Sequence, residues 1–316
     1  MKHSLQATAM LLMFFMVAQT VGLLIIHESI DVSASQESGE TVFKDLPVGE
    51  RPPLEEDNSY WTIFGAIILG TLLLLLLIKL NWVWVWKIWF IIAVMMALSI
   101  SFGTFIRADV AVAIGLGLAL WKVFRPNFWI QNLTEVFIYG GLAVIFVPVL
   151  NLWSVSILLV LIALYDAYAV WKSKHMITLA KSQTEAKVFA GLFIPYRMET
   201  GRKTGNGKAS KTVSKIAPAS KIAHLSTHGK SISKAALKNV RTAILGGGDI
   251  GFPLIFAGVV MKEMGLWQSI VIPFFALAGL GFLLWYGDEK KFYPAMPFIG
   301  AACFLGLGVV WLLGLL

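Results

Sequence analysis

Apolar residues fall in long unbroken runs along this chain, without the alternation of a half-buried strand. LLLLLLI at 72–78 is the densest, and many runs resemble it. A hydrocarbon core about 30 Å thick is crossed by about 20 helical residues. Without water in that core, spans must be helices or a closed barrel. Continuous apolar runs select helices over barrel strands. Nine segments fit: 5–27, 60–79, 82–105, 108–122, 129–150, 152–171, 242–261, 266–286 and 292–316. The expected fold class is therefore an all-α polytopic membrane protein with nine transmembrane helices. The first segment also reads as a signal peptide, with Lys2, an apolar stretch and Val32-Ser33-Ala34 as a weak cleavage pattern. Its length exceeds the about 7–15 residues of such a leader, which favours a retained span.

The run of spans breaks once, at a polar stretch. Residues 172–241 are too polar to cross a bilayer, and TGRKTGNGKASKTVSKIAPASK (200–221) has the Gly, Ser, Thr and Lys content of a flexible linker. The chain thus divides into an N-terminal half with spans one to six (1–171), a basic flexible loop (172–241) and a C-terminal half with spans seven to nine (242–316). No internal repeat accompanies this six-plus-three arrangement.

Composition agrees with the pattern: 58% of the 316 residues are hydrophobic and 14% charged, where a soluble domain is nearer half apolar and about a quarter charged. The net charge of +8 is unevenly spread. Residues 28–60 carry nine acidic side chains against Lys44 and Arg51, and 172–241 carry fifteen Lys and Arg against Glu185 and Glu199. So long a basic stretch could suggest nucleic acid. Its flanking spans make retention on the cytoplasmic side the better account, with attraction to anionic headgroups in addition. Lys2, Lys79, Lys122, Arg125, Lys290 and Lys291 then fall on one side with that loop. This predicts a cytoplasmic N-terminus, an outer acidic loop and an extracytoplasmic C-terminus. The single cysteine, Cys303, excludes a disulfide framework and any multi-cysteine metal site, and reads as a small apolar helix residue.

Charge inside hydrocarbon is expensive, about 2.5–3.5 kcal/mol per group on insertion scales, so the intramembrane acids carry information. They are Asp109, Glu135, Asp166 and Asp249, with Glu263 and Asp288 at span ends. Asp109 follows Arg107 and is expected to pair with it at the interface. Glu135, with Gln131, Asn132 and Thr134, is expected to form interhelical hydrogen bonds. Asp166 lies six residues before Lys172, roughly 9 Å along a helix, and Asp249 eight residues after Arg241, roughly 12 Å. The two carboxylates are thus expected at nearly the same depth on helices entering and leaving the basic loop.

Asp249 also sits in unusual company, AILGGGDIGFP (243–253). Gly246, Gly247 and Gly248 permit close helix approach and uncommon dihedrals. Pro253 cannot donate a helical hydrogen bond to the carbonyl of residue 249. The backbone around this acid is loosened on both sides, which is tolerated at membrane depth where it lines a wet cavity or is covered by protein. Two carboxylates that meet share a proton. One can then act as general base on a water while its protonated partner polarises a scissile carbonyl. This chemistry needs no metal and no cofactor. YPAMPF (293–298) adds a third feature on the same side: two prolines, Pro294 and Pro297, leave backbone groups free to pair with an extended peptide.

Tyr165-Asp166, Gly246-x-Gly248-Asp249 and Pro294-Ala295-Met296, in that order, resemble the YD, GxGD and PAL motifs of the presenilin and signal peptide peptidase family of intramembrane aspartyl proteases. The resemblance covers the architecture of the whole chain, with its motifs concentrated in 152–316. It implies Asp166 and Asp249 as the catalytic pair, Pro294, Ala295 and Met296 as shaping the site, and single-span proteins or signal peptides as substrates. Met296 stands where the family has Leu, a volume-conserving change. Gly247 stands where family members often have a larger apolar residue. With no large hydrophilic N-terminal extension, the chain looks like a microbial, archaeal presenilin homologue, an integral protein of a prokaryotic plasma membrane.

A proton- or cation-coupled transporter, or a cation-leak channel, is the alternative, because paired intramembrane acids and broken helices mark those too. The ordered motifs and the missing repeat favour the protease. Zinc protease chemistry lacks its HExxH motif: His224 and His228 in HLSTH have the spacing but no glutamate between them. Substrate, cut position and oligomeric state are not legible.

Overall fold

The computed structural model describes residues 5–80, 82–173, 190–197, 240–287 and 293–314. Helices occupy the regions where spans are expected: α1 (Leu5–Glu28), α3 (Ser59–Lys79), α4 (Val83–Gly103), α5 (Ala108–Phe124), α6 (Phe128–Phe146), α7 (Leu152–Tyr168), α8 (Gly248–Met264), α9 (Leu266–Tyr286) and α10 (Met296–Leu312). Among the described residues, six of these, α1, α3, α4, α6, α7 and α9, are long and apolar enough to cross a membrane. The other three have 17 residues each. A short helix, α2 (Val32–Ser38), stands in the acidic loop. The Val32-Ser33-Ala34 stretch forms its first turn, capped by the Asp31 carboxylate on the backbone N–H groups of Ser33 and Ala34.

Two expectations need correction. Residues 242–246 are not the start of a helix. They belong to strand β2 (Val240–Gly246), paired antiparallel with β1 (Gly191–Arg197) in register Gly191↔Gly246. The 172–241 segment therefore holds ordered strand at 191–197, while its 200–221 linker, like His224, His228, Lys290, Lys291 and Asp288, lies outside the described residues. The physical reason is local and tertiary at once. Gly246 and Gly247 are poor helix residues. Ala243 and Leu245 are buried while Ile244 between them is exposed, the period of a strand. The second correction is at the last helix, which begins at Met296 rather than 292. Pro297 sits in its first turn, where a missing N–H costs nothing.

One buried cluster runs through α1, α6, α7, α8, α9, α10 and both strands. A second joins α4, α5 and α6. α1 packs against α6, α8 and α9, whereas α3 meets chiefly α7 and α4. A single glycine, Gly265 (φ 108°), turns α8 into α9 in a conformation other residues resist. Exposed tryptophans cluster near helix ends: Trp61, Trp153 and Trp267 at starts, Trp121, Trp171, Trp285 and Trp311 at ends. The acidic loop is tied to the C-terminal end of α8. There Lys262 reaches the Glu56 carboxylate at 2.6 Å and the Leu150 carbonyl at 3.1 Å, and its own carbonyl accepts from Thr41. Cys303 is buried in α10 among apolar neighbours, as expected.

Candidate active site

α7 carries Tyr165 and Asp166. Its start is fixed by a reciprocal cap between Asn151 and Ser154, and the Glu263 carboxylate accepts the Leu152 N–H at 2.7 Å. After Tyr168 the helix widens into a π turn, Ala169–Ser173, a rare form that is often found beside functional residues. Asp166 is 5% exposed. It faces the first turn of α10: its Oδ2 accepts the Met296 N–H at 3.1 Å, with Ala295, the residue before, beside it. A helix start has unpaired N–H groups and a positive dipole end, so it suits a carboxylate. This contact explains the Pro294-Ala295-Met296 motif. Pro294 and Met296 are buried, the chain enters the helix there, and the Met296 N–H points at Asp166. Tyr165 turns the other way, its ring edge-to-face with Phe64 of α3 at 6.4 Å.

Asp249 lies in the first turn of α8. The helical-rise depth expected from Arg241 does not hold, because the intervening residues are strand. The glycines acquire distinct reasons. At Gly246 a Cβ would stand 3.3 Å from the Asp249 Oδ2, pressing on the carboxylate. At Gly247 it would stand 2.9 Å from the Tyr139 hydroxyl. Gly248 is exposed, and a Cβ there would make ordinary contact with Phe252. Pro253 is buried within α8, which continues through it. Just after the motif, the Ile250 carbonyl accepts from Gln19 Nε2 of α1 at 2.8 Å.

The structure thus brings the motif-bearing helices together, since α7, α8 and α10 pack against one another in pairs. Of the remaining acids, Asp109 pairs with Arg107 at 3.1 Å at an exposed position, as expected. Glu135 is bonded within the bundle, also as expected, but to an unforeseen partner. It forms an ion pair with Lys122 at 2.6 Å, with side chains 1% and 2% exposed. Lys122 is therefore a buried residue and not a free interfacial charge. Sequence reasoning missed it, along with Gln19 and Tyr139. The signal for Tyr139 was available: Gln131, Glu135 and Tyr139 recur every fourth residue on one face of α6. Among the described residues, no group of three His, Cys, Asp or Glu side chains is arranged to hold a metal.

The fold is that of a helical membrane protein, with one aspartate under the start of its last helix and another opening the helix beside it. The family model described as signal-peptide peptidase, presenilin aspartyl protease matches residues 49–313, so the chain belongs to that family and is an intramembrane aspartic endopeptidase. A solved presenilin family intramembrane aspartate protease, in space group C222, is similar in fold with a TM-score of 0.58 and 17% identity over 97% of this chain and 99% of that one. A second, in space group P2, gives 0.55 and 17% over 96% of each. No curated protein matches.

Proposed function

We propose that Asp166 and Asp249 hydrolyse peptide bonds within transmembrane helices by activating one water between them. The observation that carries this is the seat of Asp166 beneath the Met296 N–H at the start of α10, on a helix packed against the one that Asp249 opens. Between them the two carboxylates hold one proton. The ionised one takes a proton from the water as its oxygen attacks the carbonyl carbon. The protonated one donates to the carbonyl oxygen, giving a neutral gem-diol. Collapse of the diol breaks the C–N bond, the amine leaves with a proton from the pair, and the diol oxygen returns its own. Gly246, Gly247, Gly248, Pro253, Pro294, Ala295, Met296 and Pro297 shape the site around this exchange, with Tyr165 on its α3 side.

The nine-span topology belongs to the same proposal, with N-terminus and basic loop cytoplasmic, C-terminus extracytoplasmic, in a prokaryotic plasma membrane. Support comes from the exposed tryptophans at helix ends, which suit two interfacial belts. Substrates are single-span proteins or signal peptides, entering laterally from the lipid. The least buried span, α3, touches Tyr165 next to Asp166, which favours entry on that side. The test is cleavage of a single-span substrate by the full chain in detergent. Wild type is expected to cut it, and Asp166→Ala and Asp249→Ala each to abolish cutting. Normal cleavage by both variants would refute the dyad.

A further inference from the structure

Behind Asp249 lies a buried polar network that the hydrolytic chemistry does not itself use. Lys122 of α5 donates to Glu135 Oε1 at 2.6 Å and to Thr134 Oγ1 at 3.0 Å. The second Glu135 oxygen accepts the Tyr139 hydroxyl. Gln131 Nε2 donates to Glu135 Oε1 at 3.0 Å and to the Gly191 carbonyl of β1 at 3.1 Å. Asn132 holds β1 at both backbone groups of Phe193, accepting its N–H at 2.9 Å and donating to its carbonyl at 3.0 Å. β1 in turn pairs with β2, and the Ala190 carbonyl accepts the Gly247 N–H at 3.2 Å. The network therefore reaches the residues just before Asp249 by two routes, one through the strands and one through Tyr139.

The Tyr139 route is direct. Its hydroxyl fills the space where a side chain at 247 would begin, and its ring edge is 3.7 Å from a Cβ built on Gly251, on the far side of Asp249. Tyr139 thus faces the glycines on both sides of the aspartate, and Asp249 lies within its electrostatic reach. A phenol in this position needs a fixed orientation, and the Glu135 carboxylate supplies it. Lys122 and Gln131 both donate to the other oxygen of Glu135, which fixes the carboxylate in turn.

We infer that Tyr139, held by the buried Lys122–Glu135 pair, is a positioning residue for Asp249 and forms a matched couple with Gly247. The role in catalysis rests on the dyad proposed above. In this chain the missing side chain at 247 is the complement of the tyrosine: a Cβ there would stand 2.9 Å from its hydroxyl and 3.1 Å from its ring edge.

The experiment uses the purified full chain and a single-span substrate, with Tyr139→Phe, Gly247→Ala and the double variant. Tyr139→Phe keeps the ring and its packing. It is expected to lower kcat by about 10- to 100-fold, as a small misplacement of a reacting group does, with KM within about twofold of wild type, since the tyrosine does not bind substrate. Gly247→Ala is expected to lower the thermal midpoint by about 2 °C or more in the wild-type background, and by less in the Tyr139→Phe background, where the hydroxyl contact is gone. In the double variant, kcat should be at least that of Gly247→Ala alone. Wild-type kcat in Tyr139→Phe, a fall matched by loss of folded protein, or equal thermal shifts in both backgrounds would overturn the inference. A wild type that cleaves nothing would refute the dyad and this role with it. The thermal cycle alone still decides whether the contact exists.

Discussion

α6 and α3 are both membrane helices, and they solve opposite problems. The α6 segment, Phe128–Val149, has a mean hydropathy of 1.6 and 67% of the residues in its apolar stretch are buried inside the protein; for α3 the values are 2.6 and 11%. In water the more apolar helix would be the inner one. In a bilayer, lipid is as good a solvent for leucine as other leucines are, so apolarity no longer drives a helix inward. What drives α6 inward is its polar face, because Gln131, Asn132, Glu135 and Tyr139 need partners that hydrocarbon cannot provide. α3 has no such face. Leu69, Leu72 and Leu76 stay exposed on it without penalty.

The comparison can be broken most sharply at the ion pair. Lys122→Met leaves the Glu135 charge buried without its cation, and is expected to destabilise the fold by about 3–5 kcal/mol. Replacing both, Lys122→Met with Glu135→Leu, removes that charge and is expected to recover most of the loss. Thermal unfolding and detergent-extracted yield read both. If Lys122→Met folds as well as wild type, α6 is not held by its polar face. Close packing is the next test. A Cβ at Gly141 would run into the Ala97 carbonyl of α4, so Gly141→Val is expected to cost about 1–3 kcal/mol by overpacking, read as a lowered thermal midpoint. Asn132→Ala frees both backbone groups of Phe193, and a loss of about 1–2 kcal/mol should appear with faster hydrogen exchange at 191–194. Unchanged exchange there would show that the strands hold each other without α6. Leu69→Ala and Leu72→Ala on α3 are expected to shift stability by no more than about 0.5 kcal/mol. A loss of several times that would mean that protein, not lipid, covers α3.

These two helices also mark how far the sequence is legible. Unbroken apolar runs located the helices, because length and hydropathy are what a bilayer demands of them. The order of YD, GxGD and PAM pointed to the aspartates, and the Arg107–Asp109 pair follows from two adjacent charges at a span end. Other features depend on distant partners. The run AILGG reads as helix or strand on periodicity alone. It is strand because Gly191–Arg197, some fifty residues upstream, pairs with it, and α6 side chains hold that partner in place. Lys122 counted toward orientation because positive-inside bookkeeping sees charge and not direction; its side chain turns inward to Glu135. The reason for Gly247 was invisible until Tyr139 was known to stand against it.

Central to the account is a pair of carboxylates able to grip one tetrahedral oxygen. The most direct measurement is the affinity of a peptide isostere bearing a hydroxyl in place of the scissile carbonyl, titrated against wild type, Asp166→Ala and Asp249→Ala in the same bilayer preparation. Such a group mimics the attacking water, and a shared site should lose it by about 100-fold or more when either acid is removed. Equal affinity in all three proteins would contradict the account.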